Sequence, residues 1–357
     1  MRCSIQIILI ILILGFSRCS DETQPSRTYR MGMANSAPRF DDLDLFIQSL
    51  NLWTQRVDAA IISTEVPWEE LLAGMNAEDY AIANYQGLVE FYRDKDLELW
   101  IYIDPQNGLD RSSDALELQA AGKSIADTEM QLLYKRFTFV MDSLFHPEHL
   151  GLALETNLIR DAAPSSIYQG VKQAANAAAA EISGYDPDVS LSVSVQVDHA
   201  WGKLVGGSYT GIEQDFIDFP FVEELGLSSY PYIGFDSPDD LPIDYYSKLV
   251  KGKNIPVFVS EGGWSSASFN SPDISFTSSP EKQETYIRKQ AALLDHANAS
   301  GVFQLTFTDI DLDHIPPDVP ENIVLFSFLG LVDSDLMPKP ALSAWDDLFE
   351  LPLKSHH

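Results

Sequence analysis

IPVFVSEGGW, residues 255–264, is the stretch that decides the fold. A short apolar, β-branched run lies between a lysine-rich segment (248–253) and a pair of glycines, a pattern typical of a buried parallel strand. The strand ends on Glu261, and the two glycines after it allow backbone to pass close beside this carboxylate. The carboxyl ends of the strands form the rim that carries the chemistry of α/β barrels. Glu261 is therefore a candidate functional carboxylate, and the alternative is a structural glutamate paired with a neighbouring arginine.

Seven further strand patterns alternate with helical patterns along the chain. Eight strands alternating with helices over one chain predict an α/β protein, a single-domain (β/α)8 TIM barrel. The alternative is a doubly wound open sheet, but no glycine-rich phosphate-binding loop follows any strand, and we predict no cofactor. The further strands are predicted at 29–35, 58–63, 97–104, 150–155, 189–197, 225–230 and 302–308, and helices at 41–52, 77–94, 125–145, 165–182 (with Ser165 as N-cap), 244–250 and 280–299.

The first 28 residues differ in character from the rest. The apolar run 5–16 after Arg2 is too short to span a bilayer and is typical of an export signal. Cleavage before Cys19 leaves one thiol, and hence no intrachain disulfide, because the other cysteine is Cys3. The arrangement resembles a bacterial lipoprotein signal, in which Cys19 carries lipid, although Arg18 departs from that pattern. Ordinary secretion or an uncleaved anchor are the alternatives.

These features predict four segments and a location. The segments are a signal peptide (1–18), a polar tether (19–28), a barrel domain (29–350) and a tail (351–357). We expect an exported protein, either a lipoprotein of the outer membrane or cell surface or a secreted protein, which touches the membrane through the lipid alone.

The charge of the chain limits its partners. There are 53 acidic against 23 basic residues, a net charge of −30, which becomes −32 when Arg2 and Arg18 are removed with the signal. Such a surface repels phosphate backbones, so nucleic acid is not an expected partner. A neutral or cationic ligand suits it better, and we expect a monomer.

A second strand-end carboxylate accompanies Glu261. Glu155 ends the predicted fourth strand, so a barrel brings Glu155 and Glu261 to the same rim. Two carboxyl groups facing each other across a cleft are the minimum apparatus for hydrolysing a glycosidic bond. A separation of roughly 5 to 5.5 Å implies retention of configuration, and a wider gap implies inversion.

At this point the chain resembles the clan of retaining glycoside hydrolases on (β/α)8 barrels (clan A). LGLSSYPY (225–232), IPVFVSEGGW (255–264) and GLVDSDLMPKPALSAW (330–345) are most similar to the endo-β-1,4-galactanase family and its relatives. The resemblance implies that Glu261 is the nucleophile, that Glu155 is the acid/base, and that Tyr230 hydrogen-bonds the nucleophile. Together with the export signal, the two strand-end glutamates lead us to expect an exported glycosidase that cleaves a polysaccharide or oligosaccharide with retention. Since these roles need opposite protonation states, we expect a raised pKa on Glu155 and an ionised Glu261.

The chain departs from the family before the acid/base. Leu154 stands where the family has an asparagine that binds the sugar 2-hydroxyl, and Asn157 is the nearest asparagine that can substitute. This departure favours a rival interpretation, a non-catalytic carbohydrate-binding surface lipoprotein on a degenerate barrel. A third interpretation, a hydrolase of another bond or a solute receptor, predicts no acidic pair converging on one cleft.

Other residues near the predicted rim are weaker candidates for substrate binding. Aromatic faces pack on sugar rings, while strand-end acids and loop histidines form hydrogen bonds, but all these residue types are also common in cores and caps. Asp309, Asp311 and Asp313 have calcium-like spacing, but His314 stands where a calcium loop needs glycine, so no metal site is predicted. The substrate-binding candidates are Asn157, Tyr230, Tyr232, Trp264, His199, Trp201, Trp68, Asp104 and Glu65.

Overall fold

A computed structural model describes residues 25–34, 36–204, 206–271, 274–316 and 319–354. The predicted signal peptide, Cys19 with its predicted lipid, and the last three residues of the predicted tail lie outside the described residues. Within them, no helix has the length and apolar character needed to cross a membrane.

Eight parallel strands close into a barrel in which each strand pairs with its neighbours in the chain and the eighth pairs with the first. The predicted (β/α)8 barrel is therefore confirmed, and the open sheet is wrong. The strands are β1 (Arg30–Ala34), β2 (Ala59–Glu65), β3 (Glu98–Asp104), β4 (His149–Gly151), β5 (Ser190–Gln196), β6 (Glu224–Ser229), β7 (Val257–Gly262) and β8 (Gly301–Gln304).

Helices surround the barrel, and two helix predictions are wrong in detail. Ser165 is the first helical residue rather than the N-cap, because the carbonyl of Pro164 already accepts the first helical hydrogen bonds. Residues 244–250 form successive turns instead of a helix. The helices are α1 (Leu43–Trp53), α2 (Trp68–Leu72), α3 (Ala77–Arg93), α4 (Leu116–Ala120), α5 (Thr128–Phe145), α6 (Thr156–Ala162), α7 (Ser165–Tyr185), α8 (Val197–Ala200), α9 (Glu213–Asp218), α10 (Pro280–Ala297) and α11 (Pro340–Phe349), with short 3₁₀ helices at Pro231–Ile233, Pro238–Asp240, Leu312–His314 and Glu321–Phe326.

The inside of the barrel is filled by aromatic side chains that face strand glycines. A Cβ on Gly151 would lie 2.4 Å from the ring of Tyr102, and one on Gly226 would lie 2.3 Å from the Tyr102 hydroxyl. A Cβ on Gly32 would similarly lie 2.3 Å from the ring of Phe303. Large residues on some strands therefore require small residues opposite them, and the barrel is a packed core whose chemistry is confined to its rim.

The amino end of the barrel holds a half-buried ionic cluster. His149 Nδ1 lies 2.7 Å from Glu224 Oε1, its Nε2 lies 3.1 Å from Glu98 Oε1, and its ring stacks on Trp100 with centroids 3.7 Å apart. Burial alone lowers the pKa of His149, but the hydrogen bonds and charges of the two glutamates outweigh it and raise the pKa to about 9. The cluster is therefore an imidazolium held between two carboxylates.

The predicted tether and tail meet at the same end. Arg27, placed by the sequence in the polar tether, is buried and forms an ion pair with Asp58. Its backbone bridges to Leu353, in the predicted tail. The ordered fold therefore includes residues just outside 29–350, while the cleavage site and the tether itself stay predictions.

Candidate active site

A cavity of about 700 Å³ opens at the carboxyl end of the barrel. Its wall is built from segments that follow β1, β2, β3, β4, β6, β7 and β8. Both predicted catalytic carboxylates, Glu155 and Glu261, line it, as do the predicted binding residues Glu65, Asp104 and Tyr230. The cavity therefore lies where α/β barrels place their chemistry.

A β-bulge turns Glu261 toward the barrel axis. The pairing of β6 with β7 steps from Leu227 opposite Val259 to Ser228 opposite Glu261, which leaves Ser260 as an extra residue. Val259 packs outward in the main core, so strict alternation would also turn the second residue after it outward. The extra residue reverses the alternation and places the carboxylate inside. As the sequence predicted, backbone passes close by, since a Cβ on Gly262 (φ 154°) would lie 2.3 Å from the Ser229 carbonyl oxygen.

A left-handed backbone conformation positions Glu155. The residue has φ 50° and ψ 43° and precedes α6. Its N–H donates to Ser194 Oγ (2.9 Å), and its carbonyl accepts from Leu158 N and Ile159 N. A residue with a side chain rarely adopts this conformation, at a cost on the order of 1 to 3 kcal/mol, and such residues cluster at functional sites.

The hydroxyl of Ser228 joins the two glutamates. Ser228 Oγ lies 2.6 Å from Glu155 Oε1 and 2.8 Å from Glu261 Oε1. These two distances together set 5.4 Å as the upper limit for the separation of the two carboxylate oxygens. A hydroxyl has one proton to donate, so when both hydrogen bonds form, one carboxyl group is protonated and donates to Ser228.

Arg111 pairs with Glu155 on its other side. Arg111 Nε donates to Glu155 Oε2 (2.8 Å), and its Nη1 donates to Asp104 (2.5 Å). The guanidinium is buried, with 5% of its side chain exposed, and the two carboxylates raise the pKa of Arg111 although burial opposes them. Burial raises the pKa of Asp104, which Arg111 counteracts. The outcome is a buried cation shared by two acids.

The pKa of Glu261 departs from the expectation of an ionised nucleophile. Burial, followed by the negative charge of Glu155, raises the pKa of Glu261 to about 7. Glu155 is the carboxylate that is paired with a cation. A pKa of about 7 leaves Glu261 largely protonated below pH 7, which contradicts the expectation that Glu261 stays ionised in the free protein.

Glu65 and Tyr230 lie on the cavity wall, but Tyr230 does not have its predicted contact. Glu65 accepts a hydrogen bond from the N–H of Gly108 (3.0 Å), and burial raises its pKa. The N–H of Tyr230 donates to the buried Asp198 (2.9 Å), which fixes the start of the loop after β6. Within the described residues, Glu261 forms its side-chain hydrogen bond with Ser228 rather than with Tyr230.

The predicted aromatic platforms are not on the cavity wall. Trp68 and Trp264 are each 1% exposed and belong to the core, and Trp264 donates its indole N–H to Ser278. Tyr232 is buried and donates to the Leu325 carbonyl, while Trp201 donates to the Tyr245 carbonyl. Trp68, Trp264 and Tyr232 therefore pack beneath the rim, and the half-buried Trp201 lies outside the described cavity wall.

The two polar candidates after β4 and β5 are also occupied elsewhere. Asn157 exchanges two hydrogen bonds with the backbone of Gln196, at 2.9 and 2.8 Å, and is 1% exposed. It therefore cannot substitute for the missing asparagine, and Leu154 lines the cavity at that position. His199 lies 2.8 Å from Asp161 and forms no part of the described cavity wall.

Two members of the acidic triplet after β8 are used in ion pairs. Asp309 pairs with Lys339 (2.6 Å), and Asp311 pairs with Arg39 (2.8 Å). Among the described residues, no group of three or more histidine, cysteine, aspartate or glutamate side chains is arranged to hold a metal ion.

Sequence reasoning missed Arg111 and Ser228. Arg111 lies in a short hairpin, Gln106–Asn107 with Asp110–Asp114, that follows β3. The sequence shows this segment as a polar loop, and nothing in it indicates which side chain returns to the site. Ser228 had a usable signal, since alternation along β6 places it on the same face as Gly226, inside the barrel.

No protein-family model and no curated protein matches the chain. Several solved structures are similar to the chain. The chain is similar to an exo-β-1,4-mannosidase from an Opitutaceae bacterium, with a TM-score of 0.66 at 15% identity over 91% of this chain, and it spans 59% of that chain. It is similar to a GH5_18 structure from Bifidobacterium longum, with a TM-score of 0.60 at 15% identity over 91% of this chain and 81% of that chain. A β-D-glucuronidase from Dictyoglomus thermophilum gives a TM-score of 0.55 at 12% identity, covering 94% of this chain and 52% of that chain. The predicted closeness to the endo-β-1,4-galactanase family stays a prediction, and the likeness shows that the chain has a (β/α)8 barrel of the kind on which these glycoside hydrolases are built.

Proposed function

We propose that the protein is a retaining glycoside hydrolase, with Glu261 as nucleophile and Glu155 as acid/base. The observation that carries the proposal is the hydrogen bonding of both carboxylates to one hydroxyl, Ser228 Oγ, inside one open cavity. The two oxygens that contact Ser228 lie at most 5.4 Å apart, which is compatible with the roughly 5 to 5.5 Å between the carboxyl groups of retaining enzymes. Inverting enzymes hold their carboxyl groups about 6.5 to 9.5 Å apart to admit a water.

The roles need the proton to move before reaction. In the free protein the pKa of Glu261 is raised, whereas attack needs Glu261 ionised and Glu155 protonated. Ser228 supplies the path, because it contacts both carboxyl groups. Glu261 gives its proton to Ser228 Oγ while the Ser228 hydroxyl proton passes to Glu155, so one proton is transferred overall and the serine is unchanged.

The reaction then follows the geometry of the pair. Glu261 attacks the sugar carbon as Glu155 protonates the leaving oxygen, and the bond between sugar and aglycone breaks. Glu155, now ionised, removes a proton from water, which attacks the same carbon and releases Glu261. Arg111 pairs with Glu155 whenever it is ionised, which favours the second half of the cycle.

The charge of the cavity favours neutral sugars. Asp41, Asp42, Glu65 and Asp104 line it beside the two glutamates, against the cations Arg39 and Arg111. A uronate would meet this excess of negative charge, so neutral glycosides are the proposed substrates.

The test is a screen of aryl glycosides and plant and algal glycans for released sugar. Glu261→Gln should abolish turnover while sugar binding persists, and Glu155→Gln should slow glycosides with poor leaving groups by about 10²- to 10⁴-fold. Glu78→Gln, on the exposed first turn of α3, is the matched control and should act as the parent does. Undiminished turnover by the Glu261 variant would refute the assignment.

A non-catalytic carbohydrate-binding protein is the second candidate. Two observations favour it: Leu154 replaces a sugar-binding amide, and Arg111 occupies one oxygen of Glu155. It predicts sugar binding without release of product in the same screen. The third interpretation lacks support, because it predicted no acidic pair converging on one cleft.

The location of the protein remains part of the proposal. We propose export and lipid attachment at Cys19 from the signal-like sequence 1–18. Mass spectrometry of the mature amino terminus tests both, since a lipid-modified Cys19 supports them and an intact Met1 contradicts them.

A further inference from the structure

The cavity has an acidic half and an apolar half. The acidic half consists of the carboxylates and Arg111. The apolar half, here named the apolar lobe, continues from the acidic half between the segments that follow β1, β3 and β8. The apolar lobe consists of Phe40, Leu43, Phe46, Leu109, Ile310 and Ile323.

The apolar lobe is open to solvent at its outer edge. Phe40 is 56% exposed and Leu43 is 68% exposed, and Ile47, one turn further along α1, is 46% exposed. Large apolar side chains that line a cavity and face water commonly mark a binding surface. Covering them with an apolar group gains roughly 25 cal/mol per Å² of apolar area removed from water.

The apolar lobe is a poor place for additional sugar rings. Hydroxyl groups that lose water need hydrogen-bonding partners, and the six side chains of the apolar lobe offer none. The neighbouring Arg39 donates its Nε–H to Asp311. The apolar lobe therefore favours an apolar group over the next unit of a polysaccharide.

Hydrogen bonds tie the walls of the apolar lobe together. Arg39 Nε donates to Asp311 (2.8 Å), and Asp311 N donates to the Pro38 carbonyl (2.8 Å), which joins the β1 segment to the β8 segment. Asn322 Nδ2 donates to the Leu109 carbonyl (2.8 Å), which joins the β8 segment to the hairpin after β3. Because these hydrogen bonds already join the walls without a ligand, a ligand loses less affinity to ordering them.

We propose that the site takes glycosides whose aglycone is apolar, with the sugar at Glu155 and Glu261 and the aglycone in the apolar lobe. The inference rests on the proposed function for the placement of the sugar. The aglycone is an alkyl chain or an aryl ring that is attached directly to the scissile oxygen.

The test compares n-hexyl and methyl β-glycosides of glucose, galactose and mannose. Binding is measured by isothermal titration calorimetry with the Glu261→Gln protein, so that no ligand is consumed. Each methylene that enters the apolar lobe should improve affinity about fourfold, so the hexyl glycoside should bind at least about tenfold more tightly than the methyl glycoside. p-Nitrophenyl glycosides form the aryl arm, and the tighter of the two arms identifies the aglycone. Equal affinity of hexyl, aryl and methyl glycosides, or binding of none of them, would overturn the inference.

Two surface variants make the test specific. Phe40→Ser should remove most of the hexyl advantage, measured as the ratio of hexyl to methyl affinity. Ile217→Ser, which shortens a 69% exposed side chain on α9 outside the cavity, should leave that ratio unchanged. A hexyl preference without turnover by the parent protein would refute the enzymatic function alone. Turnover by the parent with no hexyl or aryl preference would refute the inference alone.

Discussion

Replacing Glu261 with glutamine should stabilise the protein above pH 7. Burial and the charge of Glu155 raise the pKa of Glu261 from its ordinary 4.5 to about 7. A carboxyl group whose pKa is higher in the folded than in the unfolded protein binds its proton more tightly when folded. Ionising it therefore reduces the free energy of unfolding, progressively between pH 4.5 and 7 and fully above.

The size of the effect follows from the two pKa values. Each pH unit of difference corresponds to about 1.4 kcal/mol, so the ionised Glu261 costs up to about 3 kcal/mol at pH 8. Glutamine keeps the shape of the side chain and an oxygen for the Ser228 hydroxyl, but it has no charge. The Glu261→Gln protein should be more stable than the parent at pH 8 by up to that amount, and equally stable near pH 4.5.

Urea unfolding followed by tryptophan fluorescence at pH 5, 6, 7 and 8 measures the difference. Glu78→Gln, an exposed carboxylate on α3, is the control and should show no trend with pH. A variant that is less stable than the parent at pH 8, or whose difference in stability from the parent is the same at pH 5 and 8, would contradict this prediction. Either result would mean that Glu261 does not carry a buried charge in the folded protein.

Three further predictions concern the neighbours of this residue and the far end of the barrel. His149→Gln should destabilise the protein by up to about 3 kcal/mol at pH 6.5 or below, and the difference should shrink as the pH rises through about 9. The reason is that a raised histidine pKa adds stability only while the ring is charged. Urea unfolding measures the difference in stability, and the exposed His146→Asn variant is the control. Arg111→Met should lower the free energy of unfolding by about 3 to 5 kcal/mol, because it removes the cation that pairs with Asp104 and Glu155. Adding Asp104→Asn to the same chain should recover part of this stability. A decrease below about 1 kcal/mol in the single variant, measured by urea unfolding, would contradict a buried ion pair. Ser228→Ala should lower kcat/KM for the best glycoside about a hundredfold and shift the pH profile of kcat/KM. Ser228→Thr, which keeps the hydroxyl, should retain most of the activity. An unchanged pH profile in the alanine variant would exclude proton transfer through Ser228.

The barrel was predictable because its strands are short apolar runs between helices. Strands β1 to β3 and β5 to β8 begin within two residues of their predicted starts, since burial on both faces selects β-branched and apolar residues whatever the loops do. The exit from β4 was less regular. The predicted strand ran to Glu155, but pairing ends at Gly151, and residues 152–154 continue alongside β5 through isolated hydrogen bonds.

The candidate site was predictable in its carboxylates and unpredictable in their partners. A strand-end position places a residue at the rim to within a few ångströms, which is enough for Glu155, Glu261, Glu65 and Asp104. It does not show whether a ring beside the rim faces the cavity or the core, and Trp264 packs against Tyr232 and Tyr286 instead of the opening. Nor does it show which side chain of a long loop returns to the site, as Arg111 does.

The two carboxylates reach each other through departures from regular backbone. Glu155 lies in a left-handed conformation, and Glu261 follows a bulge that adds one residue to β7. Regular geometry at either position would turn a side chain away from Ser228, so local strain and a buried charge are both concentrated on the same pair. A barrel that only needed to fold would gain stability by relaxing both features, as the expected behaviour of the Glu261 variant illustrates. Strain and perturbed pKa values cluster where they serve chemistry, and their coincidence here favours a working hydrolase over a barrel that kept its shape and lost its reaction.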